Sequence, residues 1–155
     1  MTPAILKAKQ SRISYFVHEY EHDPAAQSYG LEAAEKLQLD PGQVFKTLVV
    51  DGGKNDLTVA IVPVALKLDL KSLAKAIGVK KMAMADARLV ERVTGYVLGG
   101  VSPLGQKKQL RTVIDSSAQE YGTVLVSAGR RGLEIELSPA DLASLTRGSF
   151  AAIAK

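Results

Sequence analysis

The stretch VFKTLVVDGGKNDLTVAIVP, residues 44–63, predicts a β-hairpin on which we expect the rest of the fold to be built. Two runs of strand-forming residues, 43–50 and 57–63, flank a turn segment rich in glycine, aspartate and asparagine. Side chains alternate between the two faces of a strand, so Lys46 shares a face with the apolar residues two positions before and after it. The pattern raises the question of why a charge lies among apolar neighbours.

Lys46 has two explanations at this point. An ammonium group buried alone is costly, so a buried lysine has a lowered pKa or a partner, as active-site lysines do. Alternatively, an edge strand keeps a lysine whose stem packs along the surface while its charge reaches water. The pattern alone does not decide whether Lys46 lies in a pocket or on an exposed edge strand.

The other elements are predicted from capping residues and hydrophobic periodicity. In chain order they are a helix from Pro3 to about Arg12, a strand at 14–20, a helix at 28–37, the hairpin, a helix at 70–77 between Asp69 and Gly78, a strand at 79–84, a helix from Asp86 to near Gly95, strands at 109–115, 123–127 and 133–137, a helix from Ser138 and Pro139, and a closing strand at 149–153. This mixture predicts an α+β fold, with one mixed β-sheet packed with several short helices in a single domain, residues 1–155.

The composition is that of an ordinary globular protein, with 46% hydrophobic and 23% charged residues in a chain of 155. The absence of cysteine excludes a disulfide scaffold, a thiolate zinc site and a protein thiol nucleophile. The sequence shows no membrane-spanning run and no signal-peptide core in its first residues. We therefore expect a cytoplasmic protein that does not associate with a membrane.

The motifs of common catalytic sites are missing from this sequence. It contains no GxSxG motif, no P-loop and no GxGxxG motif after a strand. His18 and His22 with Asp23 form a partial metal set, but no third strong ligand stands at a recognisable spacing. We expect no metal and no other cofactor.

Basic residues are concentrated in one part of the chain. The net charge is +4, but residues 70–131 hold eleven Lys and Arg against four Asp and Glu, a net +7. Six of these cations form pairs beside predicted turns: Lys80 and Lys81, Lys107 and Lys108, Arg130 and Arg131. Such pairs are typical both of a solvated surface and of a surface that binds a polyanion.

The segment GGVSPLGQKK, residues 99–108, predicts an irregular loop. Glycine lets a ligand approach main-chain N–H groups closely, so a loop of this kind can bind a phosphate or a carbonyl oxygen. A tight bend between two strands explains the same residues. The two lysines that follow the loop favour an anionic ligand.

With these residues in view, the chain resembles the YbaK family, the Cys-tRNA(Pro) deacylases related to the editing domain of bacterial prolyl-tRNA synthetases. The motifs that carry the resemblance span nearly the whole chain: MTPAI (1–5), EHDP (21–24), EAAEKL (32–37), FKTLVV (45–50), MAD (84–86), TGY (94–96), GGVSPLGQKK (99–108) and VSAGRRGLEIEL (126–137). The resemblance implies that Lys46 is the essential active-site residue and that its strand face is a pocket wall.

The resemblance also implies a set of substrate-binding positions around Lys46. These are Tyr20, Tyr29, Thr47, Gly99, Gly100, Val101, Ser102, Ser127, Gly129 and Glu134. The chain departs from close relatives at Tyr29, where they have phenylalanine, at Ala128, where they have glycine, and at Glu134, where several have aspartate. Thr47 stands where alanine-editing relatives have asparagine, which favours the cysteine-specific members.

The implied reaction needs no nucleophile from the protein. The cysteinyl thiol attacks its own ester carbonyl, releasing the tRNA and a strained cyclic thioester that then opens. In this scheme Lys46 anchors ribose or ester oxygens, and the amides of Gly99 and Gly100 hold the carbonyl. The six paired cations are expected to contact the tRNA backbone, and a transient complex with prolyl-tRNA synthetase is expected to supply tRNA selectivity. An alanine- or serine-specific editor on the same fold and a non-catalytic tRNA-binding module remain as alternatives.

Overall fold

The computed structural model describes residues 1–26 and 28–155, in which helices and strands alternate irregularly along the chain. The helices are α1 (Pro3–Gln10), α2 (Tyr29–Lys36), α3 (Leu70–Ile77), α4 (Ala87–Thr94) and α5 (Pro139–Thr146), with a 3₁₀ turn at Ser116–Glu120. The strands are β1 (Tyr15–Glu19), β2 (Phe45–Asp51), β3 (Leu57–Pro63), β4 (Ala83–Met84), β5 (Arg111–Asp115), β6 (Val124–Arg130), β7 (Leu133–Leu137) and β8 (Ser149–Ala151). The predicted α+β class is confirmed.

Helix ends follow the predicted capping residues. The side chains of Thr2, Asp69 and Ser138 accept hydrogen bonds from backbone N–H groups in the first turns of α1, α3 and α5, where helical N–H groups have no partner within the helix. Gly78 ends α3 in the left-handed conformation, with φ of +78°. The first helix is shorter than expected, ending at Gln10 rather than near Arg12.

The strands divide between two sheets, so the prediction of one mixed sheet is wrong. A five-stranded sheet has the order β4-β2-β3-β5-β8, and a three-stranded sheet has the order β1-β7-β6. The strand predicted at 79–84 is also too long, because Val79 N–H still bonds Ala74 C=O at the end of α3 and pairing begins only at Ala83. Hydrophobic patterns locate strands but do not say which strands pair.

The predicted hairpin is confirmed, and it forms the centre of the larger sheet. β2 pairs with β3 from Phe45 opposite Pro63 to Asp51 opposite Leu57. On its other edge, within the described chain, β2 meets β4 only at Val50 and Asp51. Just before β2, Val44 forms a bridge with Leu125 of β6, and Leu125 N–H donates to Gln43 C=O. In the described residues, the edge of β2 is therefore open only around Thr47, between this bridge and β4.

Both faces of β2 are covered by apolar side chains. Phe45 and Val49 belong to the largest buried cluster. On the opposite face, Val44 packs in a cluster beneath α2, and Val50 packs in another beneath α3. Lys46 lies on this second face, between the two clusters. In the described residues, no helix is long and apolar enough to span a membrane.

Candidate functional site

A pocket of about 450 Å³ opens at the free edge of β2, between the two sheets. Residues from β1, α2, β2, the glycine loop and the β6–β7 hairpin contribute to it. The lining residues are Tyr20, Ser28, Tyr29, Gly30, Phe45, Lys46, Thr47, Leu48, Leu98, Gly99, Val101, Ser127, Arg130, Arg131 and Glu134. Eight of the positions implied by the family resemblance thus meet in one cavity, although they are far apart in sequence.

Lys46 is the cation on the β2 wall of this pocket. Its side chain is half-buried, and it forms no ion pair with any residue that the structure describes. Burial lowers the pKa of the Lys46 ammonium, and the positive charge of Lys67 lowers it further. An ammonium group in this position is available to an anionic or oxygen-rich ligand.

Glu134 lines the same pocket from the other sheet, on β7. It stands opposite Ser127 of β6 and His18 of β1, and only 6% of its surface is exposed. Burial raises the pKa of the Glu134 carboxyl to about 8, so this group is largely protonated at pH 7. Burial also raises the pKa of Tyr20 to about 12, with a further contribution from Glu134. The protonated Glu134 carboxyl can donate a hydrogen bond to a ligand at neutral pH, whereas the Tyr20 hydroxyl already donates to Tyr29 C=O at 3.5 Å.

Thr47 presents polar groups that the protein leaves unpaired. Its Oγ1 is buried and, in the described part of the chain, has no hydrogen-bond partner. On the same edge of β2, Ala85 N–H donates to Val49 C=O, so alternation along the strand directs the main-chain groups of Thr47 to the open edge beside the pocket. A ligand with donors and acceptors would satisfy groups that are costly to leave unpaired.

The glycine loop forms the rim of the pocket through Gly99 rather than Gly100. Gly99 has φ of +90°, and Gly100 is packed so closely that an added Cβ would lie 2.9 Å from Arg130 Cα. The Gly100 N–H already donates to Val97 C=O at 2.9 Å. The expectation that the Gly100 amide binds a substrate carbonyl is therefore wrong, because that amide is occupied.

Ser102 and Gly129 lie outside the pocket lining, contrary to the expectation. Ser102 is fully buried, and its hydroxyl accepts a hydrogen bond from Leu104 N–H. A Cβ on Gly129 would lie 2.9 Å from the Tyr96 ring. Both residues shape the loop and the hairpin on which lining residues stand.

Tyr29 lies at the pocket mouth beneath an arginine. The guanidinium carbon of Arg131 is 3.7 Å from the centre of the Tyr29 ring, a cation–π contact. The edge of the His22 ring approaches the same tyrosine, with 5.6 Å between ring centres. His22 Nδ1 in turn lies 2.7 Å from Glu32 Oε1, which orients the imidazole.

The six cations expected to contact tRNA do not form one surface with the pocket. Arg130 and Arg131 line it, whereas Lys108 borders a second groove beside Arg111. Lys80 and Lys81 precede Ala83, which pairs with Asp51 at the other end of β2. That end lies about 17 Å from Lys46, at roughly 3.3 Å per strand residue. Lys107 lies against Gly95, after α4.

Five lining residues were not anticipated from the sequence: Ser28, Gly30, Phe45, Leu48 and Leu98. Leu48 carried a signal, since it is two residues from Lys46 on the same strand face. The other four residues gave no such signal in the sequence. Ser28 reads as a helix cap, Gly30 as a glycine within a helix, and Phe45 and Leu98 as isolated apolar residues, all of which have structural explanations. Within residues 1–26 and 28–155, no three His, Asp or Glu side chains converge to hold a metal ion.

Comparisons with known proteins give one consistent result. A family model described as "Aminoacyl-tRNA editing domain" matches residues 23–145. A protein of Enterococcus faecalis named "Putative Cys-tRNA(Pro)/Cys-tRNA(Cys) deacylase EbsC" is 44% identical over 153 residues, which cover 98% of this chain and 92% of that protein. A proline–tRNA ligase of Thermoanaerobacter sp. is 26% identical over 107 residues, covering 68% of this chain and 19% of the ligase. A crystal structure of "a putative trans-editing enzyme for prolyl tRNA synthetase" shares the fold, with a TM-score of 0.85, 24% identity and coverage of 100% of this chain and 99% of that chain.

Proposed function

The chain belongs to the aminoacyl-tRNA editing domain family, and on this premise we propose that it is a deacylase that acts in trans to clear cysteine from Cys-tRNA(Pro). The resemblance inferred from sequence motifs is confirmed by this match and by the relative of 44% identity. A second site that removes mischarged amino acids is needed, because the one small apolar pocket that selects an amino acid discriminates between side chains of similar size only about 10–200-fold. Cysteine and proline are such a pair.

The observation that carries the proposal is the Lys46 ammonium, which has no ion-pair partner among the residues that the structure describes. Among the described residues that line the cavity there is no histidine, and the Ser127 hydroxyl already accepts a hydrogen bond from Gly129 N–H. A serine–histidine mechanism therefore has no support in this geometry. The pocket offers a cation, Lys46, and a protonated carboxyl, Glu134. These groups fit a reaction whose nucleophile comes with the substrate.

In the proposed reaction, the thiolate sulfur of the bound cysteine attacks its ester carbonyl carbon. The bond from that carbon to the ribose oxygen breaks, the ribose hydroxyl takes up a proton, and a four-membered thioester leaves the tRNA. Water then opens this ring to give free cysteine. A thiol ionises near pH 8.5, so a useful thiolate fraction exists at neutral pH without a base from the protein.

The residues of the pocket contribute by holding the reacting groups together, which can supply a large part of the rate. Lys46 anchors the ribose or ester oxygens. The main-chain and hydroxyl groups of Thr47 lie beside it at the open edge of β2 and take part in the same contacts. With the Gly100 amide occupied, Gly99 and Val101 are the loop residues that line the cavity, and the proposal assigns the carbonyl contact to their N–H groups.

Release of labelled amino acid from mischarged tRNA(Pro) tests the proposal. Purified wild-type protein is compared with Lys46→Ala on the cysteinyl, alanyl and seryl forms, and we expect rapid release of cysteine by the wild type alone. Faster release of alanine or serine would identify an editor of different specificity. Tight tRNA binding with no release of any amino acid would identify a binding module.

We also propose that the protein associates transiently with prolyl-tRNA synthetase, which would supply the choice of tRNA. Support comes from the ligase relative, in which the matching segment is one part of a larger synthetase. Sedimentation of the protein with prolyl-tRNA synthetase, with and without tRNA(Pro), should show a complex that tRNA stabilises. Independent sedimentation in both conditions would rule out this partner.

A further inference from the structure

The two neighbouring arginines of the β6–β7 hairpin have different environments. Arg130 Nη2 lies 3.3 Å from Glu19 Oε1, and its Nη1 donates to Arg131 C=O at 3.4 Å. Arg131 has no carboxylate partner among the described residues, and its guanidinium lies on the Tyr29 ring. One arginine is therefore engaged by the protein, whereas the other is held in place with its charge uncompensated.

Stacking leaves the hydrogen-bonding groups of Arg131 free. The five N–H donors of a guanidinium lie in its plane, so contact through the planar face uses none of them. A planar fork of donors matches the two free oxygens of a phosphodiester and can bind them together. The stacked arginine thus presents a phosphate-binding edge at the mouth of the pocket.

The Tyr29 ring is itself held from several sides. It is the first residue of α2, next to the capping residue Ser28, and His22 contacts its ring edge. Gly99 is so close that an added Cβ would lie 2.7 Å from both Tyr29 Cε2 and Arg131 Nε. Glycine at this position lets the loop, the ring and the guanidinium pack together.

We propose that Arg131, positioned by Tyr29, binds the phosphodiester that joins the terminal adenosine of tRNA to the preceding nucleotide. This inference rests on the proposed function, since it places the ester beside Lys46 and the phosphate of the same nucleotide at the pocket mouth. Both residues line the one cavity, and the proposal places a single nucleotide between them. Tyr29 acts here as a positioning residue that fixes the direction of the Arg131 donors.

Binding of an uncharged RNA hairpin ending in CCA tests this assignment without any deacylation. Arg131→Gln should weaken binding about tenfold at low salt, the effect expected when a charged hydrogen bond to the phosphate is removed. It should lower the slope of log K against log[salt] by about 0.7, the value for one phosphate of a single strand. Arg88→Gln, an exposed arginine of α4, is the charge-matched control and should change neither quantity comparably.

Three further variants separate positioning from charge. Arg130→Gln should have a smaller effect than Arg131→Gln, because its guanidinium is already paired with Glu19. Tyr29→Leu should reproduce part of the Arg131→Gln defect, whereas Tyr29→Phe should retain binding better since it keeps the ring face. Equal losses for both arginines, or for both tyrosine variants, would overturn the proposal.

Deacylation gives an independent readout. With a cysteinylated RNA hairpin, Arg131→Gln should raise KM about tenfold and leave kcat nearly unchanged, because the phosphate contact is the same in the bound substrate and the transition state. With 3′-O-cysteinyl adenosine, which has no phosphate, the wild type and the variant should react alike. An equal defect on both substrates would show that Arg131 acts on the ester or the fold and would refute the phosphate contact. If no variant or wild type deacylates, the proposed function fails while the binding series still decides the role of Arg131.

Discussion

Gly99 and Tyr29 are packed so tightly that a Cβ on Gly99 would lie 2.7 Å from Tyr29 Cε2. Gly99→Ala should therefore displace the ring together with Arg131, weakening RNA binding as well as stability. Gly78→Ala is the matched control, because Gly78 also has a positive φ but has no atom within 4 Å of an added Cβ. Both variants should lose about 1 kcal/mol of unfolding free energy through backbone strain. Binding of the CCA hairpin should fall only for Gly99→Ala, and equal binding by the two would contradict this packing role.

Lys46→Ala should abolish deacylation while leaving the thermal midpoint unchanged or higher. Burial lowers the pKa of this ammonium, so its charged form destabilises the folded state, most at pH values below that lowered pKa. Lys46→Arg should also be inactive, since a planar fork does not replace a compact charge in a small pocket. Lys75→Ala, at an exposed position of α3, is the control. An active Lys46→Ala protein that unfolds easily would show that the lysine is structural.

Glu134→Gln should change how stability depends on pH. The folded state keeps this proton up to about pH 8, whereas the unfolded chain releases it near 4.5, so the stabilisation is fully present below pH 4.5 and is lost as pH rises through 8. At about 1.4 kcal/mol per pKa unit, the difference between the wild type and the variant is at most about 5 kcal/mol. Urea unfolding from pH 5 to 9 should show a steeper decline for the wild type.

Glu136→Gln provides the control for this pH series, two residues along the same strand. The hydrogen bond from the Thr123 hydroxyl is the largest cause of the lowered pKa of Glu136. The contact with His18 also lowers this pKa, whereas burial raises it. Its stabilisation is therefore present above the unfolded pKa and is lost only in acid. Parallel curves for the wild type and Glu134→Gln between pH 5 and 9 would show that Glu134 ionises normally in the folded protein.

The thiol mechanism predicts a large difference between similar substrates. Ala-tRNA(Pro) is smaller than the cysteinyl form and Ser-tRNA(Pro) is nearly isosteric, so neither is excluded by size. Both should react at least ~100-fold more slowly, corresponding to ~2.7 kcal/mol of lost transition-state stabilisation. Single-turnover rates at saturating enzyme measure this, with S-methylcysteinyl tRNA as a blocked-thiol substrate whose binding is checked separately. Comparable alanyl and cysteinyl rates would indicate an enzyme-bound water instead.

Charge reversal of Lys107 and Lys108 tests whether the tRNA interface extends beyond the pocket. If both lysines bind phosphates, the double change to glutamate should lower the salt-dependence slope of tRNA binding by about 0.7–0.9 for each phosphate that is no longer neutralised. Reversal of Lys71 and Lys75, two exposed lysines of α3, introduces the same charge elsewhere. Identical slopes for these two double variants would show that the Lys107–Lys108 pair is only a solvated surface.

Much of the fold was predictable because its signals are local. The hairpin at 44–63, the caps at Thr2 and Asp69 and the stop at Gly78 each depend on residues within a few positions of one another. The prediction of a strand at 79–84 was wrong for a related reason. The apolar alternation does not reveal that Val79 N–H donates to Ala74 C=O at the end of α3. Only Ala83 and Met84 are then left to pair with β2.

The sequence by itself determined where most strands and helices form, that a charge lies on an apolar strand face, and that a glycine-rich loop follows α4. Only the tertiary structure decided that the strands form two sheets and that the pocket lies at the free edge of β2. It also decided that, among the described residues, Arg130 pairs with Glu19 while Arg131 stacks on Tyr29 without a carboxylate partner. It also moved Ser102 out of the candidate site. The physical reason is range: periodicity and capping act over a few residues, whereas strand partners, burial and ion pairing depend on side chains that meet only after the chain has folded.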